Sequence, residues 1–305
     1  MKNSHIEWTD HTFNPWEGCT KVSPGCAHCY AEARNQRFAA GANWGPGAPR
    51  RRTSAANWRQ PLAWNRRIED GAKLRGYKVR ERVFCASLAD WLDAEVPIEW
   101  LADLLDLIRR TPNLDRLLLT KRPQNWMTRI KQVYSDTEAD DPVSDFALAW
   151  FQYSQAPRNV WIGTTVEDQT RANERIPLLR QIPARVRFLS CEPLLGPVKL
   201  YNEATIGPEA NNADVRDYGE RWLDWVICGG ESGHGARPMH PDWARSLRDQ
   251  CAESGVPFFF KQWGAHAWTE KVEGDPSTLT AYRAGKLAAG RLLDGKEHNA
   301  RPSPA

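Results

Sequence analysis

The feature that most constrains the fold is an alternation along the chain from residue 82 onward: a short apolar run, a polar turn, then a stretch of helical periodicity. We predict strands at 83–87, 116–120, 160–164, 186–190, 225–228 and 257–260, with a weaker one at 12–16. We predict helices at 98–110, 124–134, 169–181 and 241–253. Strands that alternate with helices favour a parallel sheet. We therefore expect an α/β fold, a full or partial (β/α) barrel, with a doubly wound open sheet as the main alternative.

The length of 305 residues fits one large barrel-type domain. We place this domain at 1–264, with insertions near 41–67 and 134–158. The second insertion begins with an acidic run and is expected to be an exposed loop. From 265 to 305 the alternation is lost and the chain becomes rich in Gly, Ala, Arg and Lys, so we predict an irregular C-terminal extension there.

The location of the protein is indicated by its first residues and by its cysteines. Residues 1–7 lack the basic and apolar regions of a signal peptide, and no apolar run approaches the roughly 18 residues of a membrane span. Four cysteines are scattered through predicted strands and helices, as expected of reduced core thiols: Cys85, Cys191, Cys228 and Cys251. Both observations favour a cytoplasmic protein with no membrane partner.

The other three cysteines, Cys19, Cys26 and Cys29, form a C-x6-C-x2-C array within one loop. Three thiolates so close in the chain suggest a metal centre. Structural zinc usually has four protein ligands, and a four-iron cluster held only by protein uses four cysteines. A group of three can therefore leave one coordination position open for chemistry.

A closed zinc site is the alternative interpretation of the same loop. His28 or His11 could complete a Cys3His set, giving a zinc-stabilised nucleic-acid-binding or adaptor module without catalysis. His28 lies directly before Cys29, which strains simultaneous ligation, and His11 lies eight residues before Cys19. Ligand spacing alone does not discriminate between metals, so this alternative stays open here.

The carboxyl ends of the predicted strands carry polar groups, where the active sites of parallel α/β proteins gather. These groups are Ser87 with Asp90, Thr120 to Arg122, Thr164 and Thr165 with Glu167, Ser190 to Glu192, Gly229 to Ser232, and Lys261 with Gln262. A protein that needed only stability would require no more than turn formers at these positions.

Three of these strand ends have a specific chemical interpretation beside an ordinary one. Lys121 and Arg122 could hold a carboxylate or phosphate, or could extend along the surface. The Gly229–Ser232 segment could receive an amino-acid-like cofactor end on its backbone amides and on Glu231, or could be a simple turn. Glu192 could contact a ligand or accept a proton, or could be an ordinary salt-bridged carboxylate.

Several stretches of the chain resemble a known family. They are Trp8–Trp16, Gly18-Cys19, Pro24–Tyr30, Leu119–Pro123, Ser190–Pro193 and Gly229–Gly233. The cysteine loop, the strand and helix alternation and the Gly-Gly-Glu segment resemble the radical S-adenosylmethionine (radical SAM) superfamily. The full set of stretches, from about residue 6 to 264, looks like the phage-associated three-Cys-motif proteins.

The resemblance implies a radical-SAM-like barrel with a [4Fe-4S] cluster on Cys19, Cys26 and Cys29. S-adenosylmethionine (SAM) would bind the fourth iron, and its reductive cleavage would give a 5'-deoxyadenosyl radical. We predict cofactor contacts at His28, Tyr30, Thr165, Glu167, Gly229, Gly230, Glu231 and Ser232, and catalytic roles for Lys121 and Glu192. The spacing departs from the common C-x3-C-x2-C by three residues, and Pro24-Gly25 could supply the turn that gathers the thiolates.

The partners are indicated by the segment from Arg34 to Arg67. It has no acidic residue and interleaves arginines with Trp44, Trp58 and Trp64, although the net charge of the chain is only +3. Arginines can neutralise phosphates and tryptophans can stack on bases, which predicts a nucleic acid or nucleotide substrate. The competing interpretation is a solvated basic loop whose tryptophans pack on the barrel and which docks an acidic electron donor such as flavodoxin or ferredoxin.

Other function classes are disfavoured because their motifs are missing from the sequence. We find no phosphate-binding P-loop, nucleophile elbow, zinc-protease helix or sustained heptad, which argues against an NTPase, a hydrolase, a protease or a coiled coil. The resemblance to the three-Cys-motif family also implies a companion protein encoded nearby.

Overall fold

The computed structural model describes residues 4–77, 79–201, 222–270 and 279–302. Seven strands belong to one sheet, with bounds β1 His11–Phe13, β4 Glu81–Cys85, β5 Leu114–Thr120, β6 Val160–Thr165, β7 Val186–Cys191, β8 Trp225–Gly229 and β9 Phe258–Gln262. Two antiparallel pairs join β2 (Trp16–Glu17) to β3 (Arg51–Arg52) and β10 (His266–Glu270) to β11 (Leu279–Arg283).

The helices have bounds α1 Tyr30–Ala39, α2 Ala55–Arg75, α3 Ile98–Arg109, α4 Trp126–Asp136, α5 Pro142–Gln152, α6 Gln169–Gln181, α7 Pro241–Glu253 and α8 Lys286–Ala289. Single 3-10 turns lie at Pro24–Cys26 and Pro123–Asn125. Among the described residues, no helix combines the length and the apolar content that a bilayer crossing needs.

The large sheet has the strand order β1-β4-β5-β6-β7-β8-β9. Strands of this sheet that follow one another along the chain are therefore also neighbours in space. The pairings that join β1 to β4, β4 to β5, β5 to β6, β7 to β8 and β8 to β9 are parallel. In a doubly wound sheet, by contrast, the order in which successive strands are added reverses partway across the sheet. The α/β class with a parallel sheet is therefore confirmed, and the order is consistent with a partial (β/α) barrel whose end strands are β1 and β9.

The chain folds as two compact units. The first comprises Met1–Val22, Ala31–Thr164 and Leu178–Arg187, and the second comprises Ser23–Tyr30, Thr165–Pro177 and Phe188–Ala305. In the first unit, Leu117 and Leu118 are adjacent in β5 and both are fully buried, as expected when both faces of a strand are covered. In the second unit, Phe259 and Phe260 of β9 show the same pattern.

The segment near 134–158 is not the exposed loop that its acidic residues predicted. Asp141 caps α5 by accepting a hydrogen bond from the backbone N–H of Val143, so part of the acidic run is a helix start. Val143, Ala147 and Trp150 follow at helical spacing and are buried. The acidic residues obscured the helical spacing of these three apolar residues, which lie on the buried face of α5.

The insertion near 41–67 and the C-terminal extension also contain regular structure. Much of the first insertion lies in α2, whose helical signal is interrupted by Pro61 in its interior. The C-terminal extension contains the β10–β11 pair and α8 rather than an irregular chain, and a bridge joins Phe259 to Asn299. The sequences of β10 and β11, HAWTE and LTAYR, lack the continuous apolar run that marked strands of the large sheet. Residues 271–278 and 303–305 of that extension lie outside the described residues.

Replacing Trp150 should reveal how firmly α5 is docked. The indole of Trp150 is fully buried, lies parallel to Trp91 with centroids 6.4 Å apart, and donates its N–H to the carbonyl of Pro183 at 2.7 Å. We expect Trp150→Ala to lower the free energy of unfolding by about 3–5 kcal/mol, because it leaves a cavity and an unmatched carbonyl. Urea unfolding followed by circular dichroism measures the change.

The matched variant is Tyr153→Ala at the end of the same helix, where the side chain is 62% exposed. It should change stability by less than about 0.5 kcal/mol. Equal midpoints for the two variants would show that α5 does not pack as described.

Candidate functional site

Cys19 lies in the first unit, directly after a glycine that fixes the backbone. Gly18 has φ +112°, and a Cβ there would lie 2.4 Å from the carbonyl oxygen of Asn43. The carbonyl of Cys19 accepts a hydrogen bond from the N–H of Gly45 at 2.9 Å, and Cys19 forms a β-bridge with Trp44. The first cysteine therefore has a defined backbone position.

A buried arginine contacts the Cys19 sulfur. Arg122, just after β5, donates from Nη1 to Cys19 Sγ at 3.4 Å and to Asp90 Oδ2 at 3.0 Å, and from Nη2 to the carbonyl of Thr20 at 2.7 Å. Burial disfavours the charge on Arg122, but Asp90, with Cys19 and Asp93, outweighs that effect and raises its pKa. The guanidinium is thus a permanent cation beside the thiol.

The Cys19 thiol itself is protonated at neutral pH. Burial raises the pKa of Cys19 to about 11, and the carboxylate of Asp90 adds to the shift, while Arg122 opposes it. A metal that bound here would displace the thiol proton, because thiolate is the ligating form.

Arg50 supports the same loop from within the first unit. It is buried, donates from Nε to Asp93 at 2.9 Å, and donates from Nη2 to the hydroxyl of Thr20 at 2.9 Å. Arg50 belongs to the segment that predicted nucleic acid binding, but its charge is used inside the protein.

The turn that carries Cys26 is held by a carboxylate in the second unit. Glu167 is fully buried, and its Oε1 accepts a hydrogen bond from the hydroxyl of Ser23 at 2.5 Å while its Oε2 accepts from the N–H of Gly25 at 3.1 Å. Arg175 lies 3.4 Å from Oε1 and also donates to the carbonyl of Thr165 at 2.8 Å. Glu167, predicted as a cofactor contact, thus positions the cysteine turn.

Gly25 is a glycine because the Glu167 carboxyl lies against it. A Cβ on Gly25 would lie 2.6 Å from Glu167 Cδ, closer than side-chain contacts allow. The carboxyl group cannot easily move away, since it is buried and bonded on both oxygens. Pro24–Cys26 is a 3-10 turn, as the Pro24-Gly25 pair predicted, but among the described residues three metal-ligand side chains are not grouped around it.

Arg237 holds the same turn from another direction. It donates from Nη2 to the carbonyl of Pro24 at 2.9 Å and to Glu231 Oε1 at 2.7 Å, and from Nε to Glu231 Oε2 at 2.9 Å. Burial alone would raise the pKa of Glu231, but the hydrogen bonds from Arg237 outweigh it and hold that pKa below its ordinary value. The carboxylate predicted to receive an ammonium group is engaged by this arginine.

The two glycines before Glu231 are explained by close packing within the second unit. A Cβ on Gly230 would lie 2.0 Å from the carbonyl oxygen of Trp263, and one on Gly264 would lie 2.2 Å from that of Glu231. A Cβ on Gly229 would lie 2.7 Å from Glu192 Oε1. Two chain segments cross here at a distance that only glycine permits.

The remaining predicted residues have the following positions. Glu192 forms an ion pair with Lys261 at 3.0 Å, which matches the ordinary interpretation of this carboxylate. The ring of His28 lies against Gly235, where a Cβ would be 2.8 Å from His28 Cε1. Tyr30 is 58% exposed and Ser232 is half-buried. The backbone N–H of Lys121 donates to Asp90 at 2.9 Å.

The arginines of the Arg34–Arg67 segment mostly bind carboxylates of the first unit. These ion pairs are Arg34 and Arg51 with Glu17, Arg50 with Asp93, Arg52 with Asp103, and Arg67 with Glu81. Trp64 is buried, and Trp58 receives the Arg52 guanidinium on its ring face at 4.4 Å. These contacts favour the competing interpretation, in which the tryptophans pack on the protein.

The cysteine loop carries three thiols, the ligand type that binds iron–sulfur clusters. Cys19, Cys26 and Cys29 are half-buried, and none forms a disulfide, whereas the four scattered cysteines are buried as predicted. In the described parts of the chain, no three His, Cys, Asp or Glu side chains are grouped to hold one ion. The match to a cluster site is therefore limited to the thiol ligand type and to the hydrogen-bonded turn at Pro24–Cys26.

Sequence reasoning missed the arginines that organise the site. Arg175 and Arg237 follow their carboxylate partners by eight and six residues, and Arg50 belongs to a run that suggested nucleic acid. The signal that could have found Arg237 is its place shortly after the Gly-Gly-Glu segment, in a loop without other cations.

The fold and these loops define an α/β protein with a parallel sheet and a three-cysteine loop. The chain belongs to DUF5131, a family described as proteins of unknown function, whose profile matches residues 3–302. No curated protein and no solved structure matches the chain.

Adding one methyl group at Gly25 should loosen the cysteine turn. We expect Gly25→Ala to lower the free energy of unfolding by about 1–3 kcal/mol, because the buried Glu167 carboxyl must move. The rates at which Cys26 and Cys29 react with iodoacetamide should rise severalfold, and mass spectrometry of the labelled peptides measures both rates.

The matched control is Gly196→Ala in the same unit. Its Cβ would meet Asp168 Cβ at 3.6 Å, which is an ordinary contact, so stability and labelling should be nearly unchanged. Wild-type labelling rates in Gly25→Ala would refute the positioning role of Glu167.

Proposed function

We propose that this protein is a radical SAM enzyme that holds a [4Fe-4S] cluster on Cys19, Cys26 and Cys29 and acts on a nucleic acid or nucleotide. The observation that carries the proposal is the loop of three reduced, half-buried cysteines whose turn is held by buried charged groups. The bound cluster and SAM would supply one-electron chemistry, namely a 5'-deoxyadenosyl radical.

The residues of the chain contribute position and charge. Arg122 donates a hydrogen bond to the Cys19 sulfur, and such bonds to ligand sulfurs tune the reduction potential of a cluster. Glu167 and Arg237 fix the turn on which Cys26 lies. These groups would keep the ligands in place while the cofactor is exchanged.

A closed zinc site receives less support than an open one. His11, one of the two candidate fourth ligands, is buried, stacks on Trp64 with centroids 4.4 Å apart, and has its Nε2 2.8 Å from Glu81. This engagement disfavours it as a ligand. His28 is the other candidate, and it is adjacent to Cys29 in the chain.

The finer assignments are part of the same proposal. Glu231 and Glu192 would exchange Arg237 and Lys261 for a cofactor or substrate group, and Lys121 would contact the substrate. Tyr30, His28, Thr165, Gly229, Gly230 and Ser232 remain proposed cofactor contacts. The motif resemblance further suggests a phage-associated protein that works with a companion encoded nearby and a flavodoxin or ferredoxin donor.

Anaerobic reconstitution tests the proposal. Protein incubated with iron, sulfide and reductant should become brown, contain about four irons, and release 5'-deoxyadenosine from SAM, as measured by chromatography. Alanine at Cys19, Cys26 or Cys29 should abolish the product and lower the iron content, because each removes one ligand.

The matched control is Cys228→Ala. Cys228 is buried and lies outside the cysteine loop, so this variant should still bind the cluster and release the product. A colourless protein with one tightly bound zinc would support the zinc module instead. A fully loaded cluster that binds and cleaves no SAM would refute the enzyme proposal.

A further inference from the structure

The second unit contains a cavity of about 620 Å³ to which the proposed radical chemistry assigns no role. Its walls include Trp263, Trp268 and Thr269, with Arg245 and Asp294. Cavities of roughly 300–1,000 Å³ hold small ligands, and a nucleotide unit fits this range.

The two indoles of this cavity are fixed by their N–H groups. Trp268 donates to the carbonyl of Met239 at 2.9 Å, and Trp263 donates to the carbonyl of Leu292 at 2.9 Å. Both side chains are only half-buried. With their N–H groups bonded, these rings offer a ligand apolar surface, although part of it already meets His240 at Trp268 and Phe260 at Trp263, with ring centroids 5.0 Å apart in each pair.

The wall beside the indoles is held by a charged network. Asp294 accepts hydrogen bonds from Arg245 at 2.8 Å and from Arg248 at 2.6 Å, and Arg245 also donates to Asp242 at 2.9 Å. Each cation here has carboxylate partners, so this wall does not by itself attract an anion.

The stretch 279–302, which supplies Leu279, Ala289 and Asp294 to the cavity wall, carries a net positive charge. Within 279–302 there are five basic residues and two acidic ones: Arg283, Lys286, Arg291, Lys296 and Arg301 against Asp294 and Glu297. Arg283 donates to the carbonyl of Gly233 and Arg291 to the side-chain amide of Asn299, so these two bonds leave the charge of each arginine in place.

The same stretch exposes large apolar side chains. Tyr282 is 50% exposed, Leu287 is 96% exposed and Leu292 is 52% exposed. Tyr282 pairs with Ala267 of β10, which lines the cavity. Aromatic faces among cations are the features with which proteins bind single strands without reading their sequence.

We infer that this cavity binds a base of a single-stranded nucleic acid by stacking on Trp268. The inference rests on the proposed function and deepens it by naming where the substrate strand binds. A single strand is required, because the bases of a duplex are stacked on one another and offer no free face.

Fluorescence anisotropy with a labelled oligonucleotide of about 15 thymidines tests the inference, using the full-length protein without added cluster. We expect Trp268→Leu to weaken binding about 5- to 100-fold, because leucine keeps an apolar group but removes the stacking face. Trp268→Phe should restore most of the affinity. Binding should weaken steeply as salt rises, and a duplex of the same length should bind less tightly.

Trp58→Leu is the matched comparison in the first unit. Trp58 also donates its indole N–H to a backbone carbonyl, that of Pro15 at 3.2 Å, and it belongs to the Arg34–Arg67 segment. The inference predicts that Trp58→Leu binds like the wild type. Loss of binding in Trp58→Leu with retention in Trp268→Leu would overturn it and place the strand on that segment.

Crosslinking of wild-type protein to an oligonucleotide with 5-iodouracil avoids any effect of substitution on folding. Mass spectrometry should locate the crosslinks at Trp263, Trp268 or Tyr282, and crosslinks confined to other residues would overturn the inference. If the wild type binds no single strand even at low salt, both the cavity and the nucleic acid substrate are refuted. The release of 5'-deoxyadenosine is measured separately and would still decide the radical chemistry.

Discussion

The buried carboxylate of Glu167 is the interaction on which the cysteine turn depends. A buried charge is costly unless it is paired and its oxygens are hydrogen-bonded, and Glu167 meets both conditions with Arg175, Ser23 and Gly25. The turn and the ion pair therefore form one unit: moving the turn would leave the carboxylate short of donors. This coupling holds the turn at Pro24–Cys26 through hydrogen bonds, since none of the three residues of that turn is itself buried.

Most of the large sheet could be predicted from the sequence because its strands are continuous apolar runs. The strand predicted at 160–164 is observed at Val160–Thr165, and the helices predicted at 169–181 and 241–253 are observed with the same bounds. The segments that sequence did not predict depend on tertiary contacts. Helix α5 follows an acidic run, and β10 gains its regular structure by pairing with β11.

The sequence indicated which residue types occur at the candidate site, but not which side chains pair with one another there. The strand ends drew attention to Glu167, Glu192 and Glu231, and each of these carboxylates has an ion-pair partner in the structure. Sequence could not show which arginine or lysine each carboxylate would meet, because each pair is made by tertiary structure: Arg237 follows Glu231 by six residues in an irregular loop, and Lys261 belongs to β9. The structure pairs Glu231 with Arg237 and Glu192 with Lys261.

The same limit explains why a basic run is a weak guide to a nucleic acid surface. A cation attracts phosphate only to the extent that the protein has not already neutralised it. Arg50 and Arg52 have carboxylate partners in Asp93 and Asp103, so much of their field is cancelled locally. Arg283 bonds a neutral carbonyl oxygen instead and keeps its field. The cation that lines the C-terminal cavity is likewise paired, Arg245 with Asp242 and Asp294, so the strand site proposed there depends on Trp268 and on Arg283 of β11 rather than on a count of charges.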